Sequence, residues 1–200
     1  MPSVTIATPA DRPAALRTIV RGFHADPLLR FFFPHDETYA AQAQVFFGFL
    51  LDLNLEGGEV LLADDGLAVA LWTPPDGLGI SDEEIDGRWS ADVSPHLEDG
   101  AEARLDRFER ATKDVAPEGP HRYLGVLATD PDHRGRGLAR AVLEPVLERD
   151  DADGIGAHLD TCTPENLPFY ERFGFGVFGE TTIEGGPLLW GLVRAPRTPA

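Results

Sequence analysis

The segment from Tyr123 to Arg140 constrains this chain more than any other. Tyr123-Leu124-Gly125-Val126-Leu127-Ala128-Thr129 reads as a strand, Asp130-Pro131 turns the chain, Gly135 and Gly137 punctuate a loop, and Leu138 opens a helical pattern. A strand feeding a helix through a glycine-spaced loop is a unit of an α/β fold. The same loop offers unpaired backbone N–H groups at the positive end of a helix, which suits a phosphate.

The flanking sequence supplies the other elements. Val4-Thr5-Ile6-Ala7 reads as a first strand, and Thr8-Pro9-Ala10-Asp11 as a helix start, followed by Leu16, Ile19, Val20 and Phe23 at helical spacing. Asp26-Pro27 marks a break. The aromatic run Leu28 to Pro34 is either a buried connector or a wall of an acceptor pocket. Tyr39 to Leu55 is a second helix. Glu59 to Ala63 and Leu67 to Trp72 form a hairpin about Asp64-Asp65-Gly66. Leu78 to Gly100 is a long polar excursion with one short helix around Asp82 to Trp89, and Ala101 to Val115 is an amphipathic helix. Downstream come a strand from His121 to Thr129, a helix from Leu138 to Arg149 with a disruptive Pro145, a strand from Ile155 to Thr161, a short helix from Pro164 to Phe173, and strands Phe175 to Glu180 and Leu188 to Val193. Residues 1–194 are expected to be one domain and 195–200 a flexible tail.

The chain is long enough for a sizeable core, and no apolar run approaches the roughly 20 residues of a bilayer span. The first residues carry neither a basic nor an apolar targeting region. With a single cysteine, Cys162, no internal disulfide framework exists, which agrees with a cytoplasmic location. The net charge of -17 repels nucleic acid and anionic membrane, so neither is an expected partner. Acidity of that kind serves solubility, a salty cytoplasm or the steering of a cationic substrate. Lys113 is the only lysine, and the six histidines are scattered without metal-ligand spacing, so no metal is implied.

Two familiar phosphate loops fail here. A Walker loop needs a lysine after its last glycine, and none is present. A dinucleotide loop needs a third glycine where Arg140 stands. The run Asp130-Pro131-Asp132-His133-Arg134-Gly135-Arg136-Gly137-Leu138-Ala139 resembles instead the acetyl-CoA loop of the GCN5-related N-acetyltransferase (GNAT) superfamily, R/Q-x-x-G-x-G/A. Asp160-Thr161-Cys162-Thr163-Pro164-Glu165-Asn166-Leu167-Pro168-Phe169-Tyr170-Glu171-Arg172-Phe173-Gly174-Phe175 is similar to its second cofactor segment. It is most similar to that of the small-molecule acetyltransferases typified by puromycin N-acetyltransferase. Those relatives usually have Glu where Asp160 stands and Ser where Cys162 stands. The Asp160 change bears on acceptor chemistry.

The resemblance implies an α/β GNAT fold: a mixed, twisted sheet with helices on both faces and a splayed parallel central strand pair. It implies acetyl-CoA as donor, with the backbone of Leu127, Ala128 and Thr129 on the arm and oxyanion. Arg134, Gly135, Arg136, Gly137, Leu138, Ala139 and Arg140 would meet the pyrophosphate, and Asn166 would hydrogen-bond the cofactor. Direct attack by an amine in a ternary complex follows, with Tyr170 as general acid. A core tyrosine is the alternative for Tyr170. Asp160 is the base, a binder of the acceptor cation or a structural carboxylate. Cys162 lacks a His/Asp partner for a nucleophile role. A small-molecule amine is the expected partner, and a homodimer is a possibility the family suggests. A protein or peptide N-acetyltransferase and a non-catalytic acyl-CoA sensor are the rival readings.

Overall fold

The structure, a computed structural model, describes residues 2–197. Its strands are β1 Val4–Ile6, β2 Glu59–Ala63, β3 Ala68–Thr73, β4 Arg122–Thr129, β5 Ala157–Thr161, β6 Gly176–Thr182 and β7 Leu188–Arg194. They form one seven-stranded mixed sheet in the order β1-β2-β3-β4-β5-β7-β6. Only β4 and β5 are parallel, because the helix Leu138–Asp153 (α6 below) carries the chain back between them.

The helices are α1 Arg12–Gly22, α2 Pro27–Phe32, α3 Asp36–Gly57, α4 Asp82–Asp92, α5 Ala101–Val115, α6 Leu138–Asp153 and α7 Leu167–Glu171. Side chains alternate across β2 and β3, so the two faces have different partners. Val60, Leu62, Val69 and Leu71 pack with Ala15 and Ile19 of α1 and Ala43, Phe47 and Leu51 of α3. Leu61, Ala63, Ala68, Ala70 and Trp72 pack with Val142, Leu143 and Val146 of α6. Coverage on both faces explains why β3 reads as an unbroken apolar run. α5 lies on the far end of the sheet, where Ala111 and Val115 meet Ile183 and Leu189.

Two features of β4 shape its surroundings. Leu71 pairs with Val126, but the next residue, Trp72, pairs with Leu124, so Gly125 is a bulge. The bulge reverses the alternation: Leu124 joins the α6 face, while Val126 and Ala128 join the α1/α3 face. Second, β5 pairs with β4 only at Arg122↔Ala157 and Tyr123↔His158. Beyond Tyr123 the two strands part. Their start is held by a buried ion pair from the Arg122 guanidinium to both Asp150 oxygens, at 2.8 and 2.7 Å.

The expected elements form, with some corrections. The excursion helix starts at a Ser81 cap that accepts from the Glu84 N–H, runs on to Asp92 and is followed by a 3-10 turn at Ser94–His96. α6 runs unbroken through Pro145 to Asp153; only the partner of the Ala141 carbonyl is lost. The short helix after β5 is a 3-10 turn, Pro164–Asn166, followed by α7. Of the expected tail, 198–200 lie outside the described residues, and the Arg197 N–H donates to Asp151 at 2.6 Å.

Candidate active site

The gap between β4 and β5 opens into a cavity of about 1440 Å³. A drug-sized ligand fills about 300–1,000 Å³, so this space takes two molecules, or one long one. Its two ends differ in chemistry.

At one end is the glycine loop. Gly135 and Gly137 hold φ of 76° and 77°, left-handed values that a side chain resists, and Gly137 caps α6. A Cβ at either would meet nothing within 4 Å, so the space above the loop is clear. The first N–H groups of α6 therefore face an open approach. The Asp130 N–H bonds back to Leu67, so strand alternation turns the Leu127 and Thr129 N–H groups to the edge that β5 has left. Arg134, Gly135, Gly137, Leu138, Ala139 and Arg140 line the cavity with Leu127, Ala128, Thr129 and Asn166. Arg134 donates to the Gly22 carbonyl at 3.1 Å, and Arg140 pairs with Glu144 at 2.6 Å. Arg136 departs from expectation. It is not in the cavity lining, and its guanidinium lies 3.8 Å from Asp64 in the β2–β3 turn. The residue between two left-handed glycines is turned out of the loop.

At the other end sit Asp160 and Tyr170. The Tyr123 hydroxyl donates to Asp160 Oδ1 at 2.7 Å. Burial pushes the Asp160 carboxyl up to about 6; the Tyr123 bond opposes that rise and the Asp26 carboxylate adds to it. Tyr170 is 8% exposed, and its hydroxyl has no hydrogen bond among the described residues. Burial first, then the charges of Asp160 and Asp26, push its proton loss far above the ordinary range. Cys162 is buried and its thiol is pushed up for the same reasons, which removes the thiolate a nucleophile needs.

Sequence reasoning missed three residues here. Asp26 lines the cavity, caps α2 through the Leu28 and Leu29 N–H groups, and accepts from Thr163 Oγ1 at 3.2 Å. Tyr123 was visible only as a strand residue, although its ring stacks on His158 at 4.7 Å. Gly125 carries the bulge. Asp26-Pro27 was legible only as a break, and its place in the same cavity as Asp160 was not. Around this end, Phe32, Phe46, Phe49, Trp89 and Phe108 form an aromatic wall from α2, α3, α4 and α5. Within the Leu28–Pro34 run, Phe33 is fully buried and Phe32 lines the cavity.

Residues 99–175 match the model of the Acetyltransferase (GNAT) family. That match covers less than half of the chain, and it is a likeness to acetyltransferases of GNAT type. An uncharacterised N-acetyltransferase of Schizosaccharomyces pombe is 24% identical over 184 residues, covering 82% of this chain and 70% of the relative. The GNAT fold extends over the whole chain. A solved structure described as histone acetyltransferase HPA2 and related acetyltransferase, from Corynebacterium glutamicum, superposes with a TM-score of 0.72 at 22% identity, covering 100% of this chain and 98% of that one. Arylalkylamine N-acetyltransferase 2 from Aedes aegypti gives 0.66 at 14% identity, covering 98% and 99%. An agmatine N-acetyltransferase gives 0.67 at 15%, covering 98% and 100%. No described helix is long and apolar enough to cross a membrane, and no group of His, Cys, Asp and Glu among the described residues is placed to hold a metal.

Proposed function

We propose that the chain moves an acetyl group from acetyl-CoA to an amine of a small molecule, by direct attack with both substrates bound. The carrying observation is one continuous cavity that joins a phosphate-suited loop to a buried carboxyl and an unpartnered phenol. Acetyl-CoA supplies an activated acetyl thioester. The residues fit it: the two left-handed glycines leave the α6 N–H groups clear, and the open β4 edge offers Leu127 and Thr129 to an amide-bearing arm. Arg134 and Arg140 add charge at the phosphate end; Asn166 adds an amide on the facing side.

At the chemical end, an alkyl amine arrives as its ammonium form. Asp160, ionised above about pH 6, removes one proton from it at the oxygen that Tyr123 leaves free. The amine nitrogen then forms its bond to the acetyl carbon as the carbon–sulfur bond breaks. Tyr170 gives its hydroxyl proton to the departing sulfur, and the second nitrogen proton, shed as the amide forms, restores the phenol. A cation beside Asp160 and Asp26 offsets the two charges that make the phenol reluctant to ionise, so the amine itself readies the acid.

The aromatic wall and the paired carboxylates favour a cationic, partly apolar acceptor. The neighbours whose descriptions name agmatine and arylalkylamine acetyltransferases act in the same fold on acceptors of that kind. A small-molecule enzyme of the puromycin N-acetyltransferase sort is thus our reading. α4 walls the cavity with Ile85 and Trp89, which supports a closed pocket over the open groove a peptide needs. Thiol release from acetyl-CoA against a panel of aminonucleosides, arylalkylamines and polyamines tests this. Neutral hydroxyl compounds outperforming every amine, or CoA binding with no turnover at all, would refute it.

A further inference from the structure

Asp26 and Tyr123 lie far apart in sequence; Tyr123 bonds Asp160 and Asp26 lines the same cavity, and neither has a role in the resemblance or the family match. We propose that they are positioning residues of the acceptor site that act through Asp160. Tyr123 fixes one carboxylate oxygen and leaves the other for the amine, while the Asp26 carboxylate, latched to Thr163, closes the opposite side of the amine's seat. The proposal rests on the reading of Asp160 as the group that meets the acceptor.

The geometry is specific. The Tyr123 hydroxyl holds Asp160 Oδ1 at 2.7 Å, and Oδ2 has no partner among the described residues. Asp26 Oδ1 is spent on capping α2, with the Leu28 and Leu29 N–H groups at 2.9 and 3.2 Å. Asp26 Oδ2 takes the Thr163 hydroxyl at 3.2 Å, tying the loop before α2 to the loop after β5. The cavity lies between these loops, and both carboxylates line it. Neither has an Arg or Lys partner among the described residues. Two shielded carboxylates without a cation are unfavourable, and an ammonium is the ligand that relieves them. Tyr170 is a buried residue whose hydroxyl has no partner among the described residues and feels both charges.

The other groups near Asp160 leave this pair in control. From β5 itself, His158 is neutral, since burial and then His121 hold it down at about 4. Cys162 keeps its proton. α7 contributes only the protonated Tyr170, and β7 places Gly191 opposite Asp160. Asp26 therefore opposes the charge on Asp160, and the Tyr123 hydroxyl supports it.

Opposite signs give the test. The Asp160 carboxyl is titrated by carbon NMR in the wild type, Asp26→Asn and Tyr123→Phe, beside pH profiles of kcat/KM for the best amine. Asn caps helices as well as Asp and keeps a group for Thr163, so the fold is retained. The Asp160 midpoint is expected to fall in Asp26→Asn and to rise in Tyr123→Phe, each by about half a unit to one unit. The acidic limb of the profile should follow, and the acceptor KM should rise in Asp26→Asn with the acetyl-CoA KM unchanged. Midpoints that stay put, or move in the same direction, overturn the proposal while amine turnover keeps the underlying reading intact. Midpoints that move as expected in a protein that acetylates no amine overturn the reading, and with it the acceptor seat.

Discussion

Replacing Tyr170 with Phe removes one oxygen and leaves the ring, and the structure separates the consequences. Its ring sits against Phe169 and Phe175 at 5.3 and 5.9 Å, contacts that Phe keeps. Its hydroxyl has no hydrogen bond among the described residues, so the usual loss of about 1 kcal/mol for such a change does not arise. Stability should stay within about 0.5 kcal/mol of wild type. Acetyl-CoA affinity should also hold, because the cradle is built from the loop backbone. Catalysis should not hold. Loss of a general acid lowers kcat by about 10²–10⁴-fold. At about 1.36 kcal/mol per decade, the barrier rises by roughly 2.7–5.4 kcal/mol. The assay is thiol release with the amine the wild type uses best, beside urea unfolding and calorimetric CoA titration. A kcat within about threefold of wild type would show that another group protonates the sulfur. A stability loss well above 1 kcal/mol would show that the hydroxyl has a partner in solution.

Gly137→Val forces a β-branched residue to φ 77°, at about 1–2 kcal/mol, and should weaken CoA binding about tenfold by calorimetry with the fold intact. Arg122→Ala strands the fully buried Asp150 carboxylate and should cost about 3–5 kcal/mol in urea unfolding, reaching the site only through the β4–β5 junction. Asp160→Asn should show a trade-off. The folded carboxyl at about 6 lies above its ordinary 3.8, so its contribution to stability is full below about pH 4 and lost as pH rises through 6. The variant should therefore melt higher than wild type above pH 6 and alike near pH 4, while its kcat/KM falls throughout. The wild-type kcat/KM should itself drop about tenfold per pH unit below 6, because the base must be ionised.

Much of the glycine-loop end was written locally. Gly135 and Gly137 punctuate a loop, and the strand-to-helix order around them is a matter of neighbours in sequence, so both the parallel β4–β5 unit and the open loop at the start of α6 could be anticipated. Arg136 lies toward Asp64 and outside the cavity lining, which spacing does not foretell, for a physical reason. Residue spacing counts arginines but does not say which way a side chain leaves a left-handed turn. The hairpin at Asp64-Asp65-Gly66 was legible from turn chemistry, and the full length of α4 was not, because its exposed, weakly patterned residues hide their boundaries.

The Asp160 end of the cavity was decided by tertiary structure. Phe32, Phe46, Trp89 and Phe108 come from four helices, and each alone reads as an ordinary core residue. Asp26 reads as part of a chain break, and Tyr123 as one of many strand residues. Only closure of the sheet brings them into one cavity with Asp160, and only the parting of β5 from β4 makes the space they share. Local patterns fix backbone conformation through spacing and steric preference. Which distant carboxylate shares a low-dielectric space with which phenol depends on packing, and the electrostatics of the site follow from that alone.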